Sequence, residues 1–291
     1  MAEARLAHVR IVLVEPAGPL NVGSVARVMK NMGLRQLVLV NPQCDPLSDE
    51  ARQMAVHGAD VLEAATRVET LLEALSGCQR AIATTARLRA TGEPLEMPEA
   101  VLPWLLPEPV ESGIQTALIF GPEDRGLNNK ELSYAQRYLR IPSSDDYPSL
   151  NLAQAVAVCC YCLRRIVLTA SASAENAWSS SARLGAVPGV VSNAVRAQTD
   201  SPNMDLPNTV PAADPAEPAA LLDQIDGFHQ QLEDLLLRIG YLYPHTASSR
   251  MEKFRRLLYR AAPSQQELAM LRGILSQVDW ALTSNQSSEQ Q

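Results

Sequence analysis

Apolar residues along the chain follow two rhythms. Val9-Arg-Ile-Val-Leu-Val14 is a short apolar run closed by Glu15-Pro16, a pattern that fits one buried strand. From Asn21 the spacing changes. Val22, Val25, Val28, Met29 and Met32 recur at three- and four-residue intervals, and Gly33 supplies a stop, so a helix is predicted from Asn21 to Gly33. Gln36-Leu-Val-Leu-Val40 returns to the strand pattern and ends at Asn41-Pro42. Strand, helix and strand within about thirty residues read as a βαβ unit with a parallel sheet.

The alternation continues through the first half. Strands are predicted at Ala81–Thr85, Thr116–Phe120 and Tyr138–Ile141, with helices at Leu71–Leu75, Asn129–Ala135 and Leu150–Leu168. Five strands alternating with helices make residues 1–168 an α/β domain, with ligand loops at the C-terminal ends of the strands. Beyond Leu168 the pattern fades. Residues 169–219 are Ser-, Ala- and Pro-rich, with five acids against two bases, the composition of a linker that is disordered when alone. Helical periodicity returns over 220–284: Leu221–Gly240, Ser249–Ala261, and a helix N-capped by Ser264 with Glu267 completing a capping box, running to about Leu282. Residues 285–291 read as a disordered tail.

Composition narrows the class. Of 291 residues, 46% are hydrophobic and only 4% aromatic, an aliphatic balance that favours α/β or all-α packing over a β-sandwich. The net charge of −7 excludes a wholesale polycation but leaves room for a local basic patch. Cys44, Cys78, Cys159, Cys160 and Cys162 are odd in number and lack paired zinc-ligand spacing, so they read as small apolar residues in a reducing compartment and no metal is expected. No membrane span or signal sequence is expected either, because the longest apolar run carries Asn and Gln and ends at Arg164-Arg165. The expected location is the cytoplasm. Five cations fall between Arg250 and Arg260; a solvated helix face and a phosphate-contacting helix are both open.

Three strand-ending loops carry the chemistry. Asn21-x-Gly23-x-x-x-Arg27 alone fits an ordinary helix start with Asn as N-cap. Gly121-Pro-Glu123 alone fits a turn, and Ser149-Leu-Asn151 alone fits a cap at the start of a long helix. Their order, each after a strand, is far more specific. Asn21-Val-Gly-Ser-Val-Ala-Arg27, Phe120-Gly-Pro-Glu-Asp-Arg-Gly-Leu127, and Ile141-Pro followed by Ser149-Leu-Asn-Leu-Ala-Gln-Ala-Val156 resemble motifs 1, 2 and 3 of the SpoU branch of the SPOUT RNA 2′-O-ribose methyltransferases. In the tail, Met251-Glu-Lys-Phe-Arg-Arg-Leu257 and Glu267-Leu-Ala-Met-Leu-Arg-Gly-Ile-Leu275 resemble the C-terminal extension of the TrmJ-type tRNA methyltransferases, which act on nucleotide 32 of the anticodon loop.

The resemblance implies a parallel-sheet SPOUT methyltransferase domain closed by a deep trefoil knot, a small C-terminal helical domain, and a homodimer acting on tRNA. It implies S-adenosylmethionine as cofactor, held by Thr84, Thr85, Ala86, Gly121, Glu123, Ile141, Ser149, Leu150 and Asn151. Gly121 is expected to let the backbone approach the ligand. Glu123 is expected to order its loop or face the cofactor's positive end. Arg27, Asn21, Ser149 and Asn151 take the catalytic positions. Arg27 stays protonated in water, so it is expected to clamp the ribose hydroxyl and its developing charge, across the dimer, rather than to act as a base. Arg87, Arg89, Lys253, Arg255 and Arg256 are the candidate RNA contacts. Two alternatives stay open: the same reaction on ribosomal RNA, and a catalytically silent RNA-binding relative. A nicotinamide oxidoreductase is disfavoured by the absence of G-x-G-x-x-G after the first strand.

Overall fold

The computed structural model describes residues 2–86, 94–106, 113–144, 146, 148–183 and 218–288. In chain order the elements are α1 (Ala2–Leu6), β1 (Val9–Val14), α2 (Pro19–Met32), β2 (Gln36–Val40), α3 (Asp49–Ala55), α4 (Ala59–Glu63), β3 (Thr66–Val68), α5 (Leu71–Ala74) and β4 (Cys78–Thr84). There follow β5 (Leu95–Glu96), α6 (Pro98–Val101), β6 (Gln115–Phe120), α7 (Asn129–Leu132), β7 (Arg137–Leu139), α8 (Leu152–Arg183), α9 (Leu222–Arg238), α10 (Pro244–Ala261) and α11 (Gln265–Ser288).

The strands form one seven-stranded sheet in the order β3-β2-β1-β6-β4-β7-β5, and every pairing is parallel. A parallel sheet must be covered on both faces, and the alternation of side chains along the strands supplies both. Ile11, Leu13, Leu37, Leu39, Leu118 and Phe120 join one apolar cluster with α2 and α8 residues such as Val25, Met29, Val156 and Leu163. Val12, Val14, Val38, Val40, Ala117 and Ile119 join the other. That second cluster takes in Leu222, Ile225 and Phe228 of α9, Leu258 and Tyr259 of α10, and Leu268 and Leu275 of α11. The last three helices therefore share the core of the sheet's second face.

Several boundaries differ from the sequence pattern. α2 opens two residues early, with Pro19 in the first turn, where a residue without an N–H loses nothing. β3 and β5 were not expected. At three and two residues they are too short and too exposed to leave a periodic trace. α7 stops at Leu132 rather than Ala135, because the Ser133 hydroxyl donates to the Lys130 carbonyl at 2.7 Å and turns the chain. The largest correction is α8. It runs fifteen residues beyond Leu168, to Arg183, through a stretch expected to be linker; no Pro or Gly lies there to stop it. The remainder of that expected linker, 184–217, and the last residues of the chain, 289–291, lie outside the described residues. In the tail, α10 begins at Pro244 instead of Ser249.

Part of α8, Leu152–Ala170, is long and apolar enough to cross a membrane by length and composition. Here its apolar side serves the core: Val156, Cys159, Cys160, Leu163 and Val167 are fully buried.

Candidate active site

The strands end in loops that touch one another. β1 closes with Glu15 in the left-handed region, at φ 47°, a conformation that a side chain with a Cβ adopts at a cost. The next loop delivers two backbone N–H groups to Glu123: Ala17 donates at 3.1 Å and Gly18 at 3.4 Å. The Asn21 side-chain amide also donates to Glu123, at 2.7 Å, and its oxygen accepts from Asn151 Nδ2 at 3.0 Å. Asn151 Oδ1 in turn accepts from the backbone of Ala153 at 2.9 Å, capping the start of α8. One hydrogen-bonded chain, Glu123 to Asn21 to Asn151, thus joins three loops that lie far apart in sequence.

This arrangement changes the reading of two motif residues. Asn21 does not cap α2: Gly18 occupies that position without a side-chain bond, and both ends of the Asn21 amide face the other loops. Gly121 is required by its own turn, since an added Cβ would lie 2.3 Å from Leu127 N and 2.5 Å from Gly126 C. Gly23 has a similar role. A Cβ there would meet the Ala51 carbonyl oxygen at 2.2 Å, so α2 lies against α3 at this residue.

Above the ends of β4, β6 and β7 the loops enclose a cavity of about 350 Å³. Its lining includes Thr84, Thr85, Ala86, Gly121, Glu123, Ile141, Ser149 and Leu150, eight of the nine residues expected around the cofactor. Asn151, the ninth, does not line it and acts at the loop junction. Thr84 Oγ1 donates to the Ile119 carbonyl at 3.0 Å, and Thr85 N donates to Leu139 O at 2.9 Å, so the end of β4 is tied on both sides. Phe120, Leu139, Leu152 and Ala155 give the cavity apolar walls, while Glu123, Asp124 and Arg125 make its rim charged. An apolar slot with a few fixed polar groups, of this size, suits a nucleoside-sized ligand.

Sequence reasoning left Glu15 without a role. Arg125 reaches Glu15 at 2.6 Å and Glu131 at 2.9 Å. The two carboxylates, Glu131 first, hold its guanidinium well above its ordinary pKa. The signal available in sequence was an acid held at a strand end, just before Pro16.

Arg27 stands apart from these ties. It lies exposed on α2, and its side chain makes no hydrogen bond or ion pair among the described residues. Its backbone is fixed, because Gly58 approaches so closely that an added Cβ would meet Arg27 Cα at 2.8 Å.

A model of the SpoU rRNA Methylase family matches residues 8–161, and a model of the tRNA methyltransferase TrmJ C-terminal domain matches residues 223–290. A tRNA (cytidine/uridine-2′-O-)-methyltransferase TrmJ from Pectobacterium atrosepticum is 36% identical over 282 residues, covering 94% of this chain and 97% of its own. Its counterpart from Salmonella typhimurium is also 36% identical, with the same shares covered. The chain belongs to the SpoU methylase family. Among solved structures, TrmJ from Z. mobilis ZM4 aligns with a TM-score of 0.70 at 26% identity, covering 94% of this chain and 100% of that one. A probable methylase family protein from Haemophilus influenzae aligns at 0.53 and 28% identity, covering 96% and 99%.

In this SpoU methylase the expected RNA contacts fare unequally. Arg87 and Arg89 lie outside the described residues. Lys253 is exposed on α10, and Arg256 is half-buried with Glu252 at 3.9 Å. Arg255 corrects the expectation: it is buried, ion-paired with Asp226 at 2.5 Å, and set over the Tyr134 ring at 4.4 Å. It ties α10 to α9 and to the segment after α7, with its charge already met by a carboxylate.

The loop junction makes a direct prediction. Replacing Glu123 with glutamine leaves one acceptor oxygen where Ala17 and Gly18 use two, sets an NH2 against an N–H donor, and removes a charge-assisted bond worth about 1.5–3 kcal/mol. Amide exchange at Ala17 and Gly18 is expected to quicken by about tenfold or more. Unchanged exchange would mean that the carboxylate does not hold the loop.

Proposed function

We propose that the chain transfers a methyl group from S-adenosylmethionine to the ribose 2′-hydroxyl of cytidine or uridine in tRNA, at nucleotide 32 of the anticodon loop. The observation that carries this reading is the hydrogen-bonded junction of three loops around a nucleoside-sized cavity, in a chain whose relatives along 94% of its length are named as tRNA cytidine/uridine 2′-O-methyltransferases. The matched SpoU model is described by rRNA. The separate match of the tail to the TrmJ C-terminal domain favours tRNA.

The cavity fits the cofactor: an apolar slot for a nucleoside, with Glu123 at the rim for a cationic end. Held by the lining residues, S-adenosylmethionine would supply an electrophilic methyl group for the ribose oxygen. The chain's own residues must then favour loss of the hydroxyl proton. Arg27, permanently charged, orients the 2′-oxygen and stabilises its developing negative charge, while water or a neighbouring phosphate takes the proton. Ser149 hydrogen-bonds the ribose, and Asn151 and Asn21 hold the loops in register.

The same reading includes a homodimer in which Arg27 of one subunit faces the cavity of the other. Exposed Leu20 on α2, with Val158 and Tyr161 on α8, supports a shared apolar face there. It also includes a trefoil knot. β7, late in the chain, pairs with both β4 and β5, so it lies between the ends of a loop formed earlier. Two working parts follow, the sheet with α8 and the helical extension from about residue 220, acting in the cytoplasm.

Mapping ribose methylation in total RNA, with and without the enzyme, tests the reading. The expected result is gain of 2′-O-methyl at C or U in the anticodon loop of tRNA. Methylation confined to ribosomal RNA, or none, would overturn it.

A further inference from the structure

We propose that the turn joining α9 to α10 is a stacking platform for an unpaired RNA base, separate from the methyl-transfer cavity. The proposal rests on the reading of the chain as a tRNA-modifying enzyme.

Gly240, at φ 74°, lets the chain reverse after α9. The backbone of the turn is then pinned: Tyr241 N and Leu242 N both donate to Leu236 O at 3.0 Å, and Thr246 N and Ala247 N both donate to Tyr243 O at 2.9 Å. Leu242 is buried in a small apolar cluster with Ala247 and Met251. Its neighbours point the other way, Tyr241 being 55% and Tyr243 58% exposed. Two phenol rings are therefore displayed to solvent by a rigid backbone, a poor use of aromatic surface unless something covers it.

The surroundings select the partner. Arg250 lies over the Tyr241 ring at 5.9 Å and donates to the Tyr241 carbonyl at 3.3 Å. The Tyr243 ring stacks on His245, with centroids 5.9 Å apart and planes 24° from parallel. Of the six Lys or Arg residues from Arg238 to Arg260, Arg255 is buried on Asp226, Arg238 pairs with Asp279 and Arg256 with Glu252, which leaves Arg250, Lys253 and Arg260 exposed on α10, within a protein of net charge −7. Aromatic faces among cations are what a single-stranded nucleic acid requires: each base has a π-face to stack, and each phosphate has a charge to pair. A second copy of this chain fits less well, because a two-fold contact would set the basic patch against itself.

Replacing Tyr241 and Tyr243 together with leucine keeps apolar bulk and removes both ring faces. Affinity for bulk deacylated tRNA, by filter binding, is expected to fall by about ten- to a hundredfold. The slope of affinity against salt should stay unchanged, since stacking releases no counterions, whereas Lys253→Ala should lower it by about one. Phenylalanine at both positions should preserve binding. S-adenosylmethionine affinity checks that each variant is folded. Tyr243→Trp provides a readout independent of any loss: it should bind normally and show fluorescence quenched by tRNA beyond the wild-type change. Wild-type affinity in the leucine pair, or no added quenching, overturns the platform while leaving the function intact. An oligomer that dissociates on leucine substitution, with tRNA affinity unchanged, reassigns the turn to contact between copies. If the wild-type chain binds no tRNA, the functional reading falls and the platform falls with it.

Discussion

Replacing Arg27 with alanine is expected to lower methyl transfer by about two to three orders of magnitude, the usual effect of losing one preorganised charge at a developing oxyanion. S-adenosylmethionine affinity and thermal stability should barely change. The side chain is exposed and holds nothing among the described residues, so its loss leaves the loop junction and both apolar clusters intact. Arg27→Lys should recover part of the rate, restoring the charge without the planar fork. Single-turnover transfer of labelled methyl to tRNA, alongside calorimetry of cofactor binding, separates the two effects. Equal loss of both would make Arg27 a structural residue. A mixing experiment addresses the dimer. If Arg27 acts on the neighbouring subunit's cavity, Arg27→Ala mixed with a cavity-filling Ala86→Trp chain should regain activity that neither has alone. If it acts within its own chain, the mixture stays inactive.

The parts legible in sequence were those that repeat. Val9–Val14, Gln36–Val40 and Thr116–Phe120 are buried on both faces, and uninterrupted apolar runs announce such strands. Thr66–Val68 and Leu95–Glu96 belong to the same sheet, but two edge strands of two or three half-exposed residues leave no pattern to find. The cavity lining came from the family resemblance, eight of whose nine implied residues surround the cavity. What each motif residue does was less legible. A helix-start Asn reads as a cap; only the approach of Glu123 and Asn151 shows that Asn21 bridges loops. Gly121 carries the same ambiguity, since close backbone contact with a ligand and with Leu127 leave the same residue in the sequence. The tail misled for a physical reason. Arg255 lies in a basic helix whose other cations are more exposed, and its partner Asp226 is twenty-nine positions away.

That buried pair sets the second large effect. Arg255→Ala leaves Asp226, only 2% exposed, as an uncompensated charge beneath α10, and breaking a buried pair from one side costs about 3–5 kcal/mol. It also removes the cation stacked on Tyr134 and the hydrogen bond to Ser133 at 3.4 Å. The melting temperature is expected to fall by about 10 °C, and exchange in α9 and α10 to rise first. Arg255→Met combined with Asp226→Leu should recover most of the loss, because an apolar pair of similar volume removes the stranded charge. Failure of the double variant to recover would place the cost in Tyr134 and Ser133 instead. His229 adds a pH dependence to the same contact. Nε2 donates to the Met251 carbonyl at 2.6 Å, which leaves Nδ1 to accept from Arg255 at 3.4 Å. Burial, above all, lowers the pKa of this histidine; the bond to the Met251 carbonyl opposes it, Arg255 lowers it again, and Asp226 and Glu233 oppose more weakly. A folded pKa below the unfolded value means the neutral ring stabilises the packed tail fully above the ordinary histidine pKa of about 6.5. That contribution is lost as pH falls below it, because a second ring proton would face the guanidinium. Melting followed from pH 8 to pH 5 should therefore lose stability more steeply in the wild type than in His229→Gln, and parallel curves would remove His229 from the account.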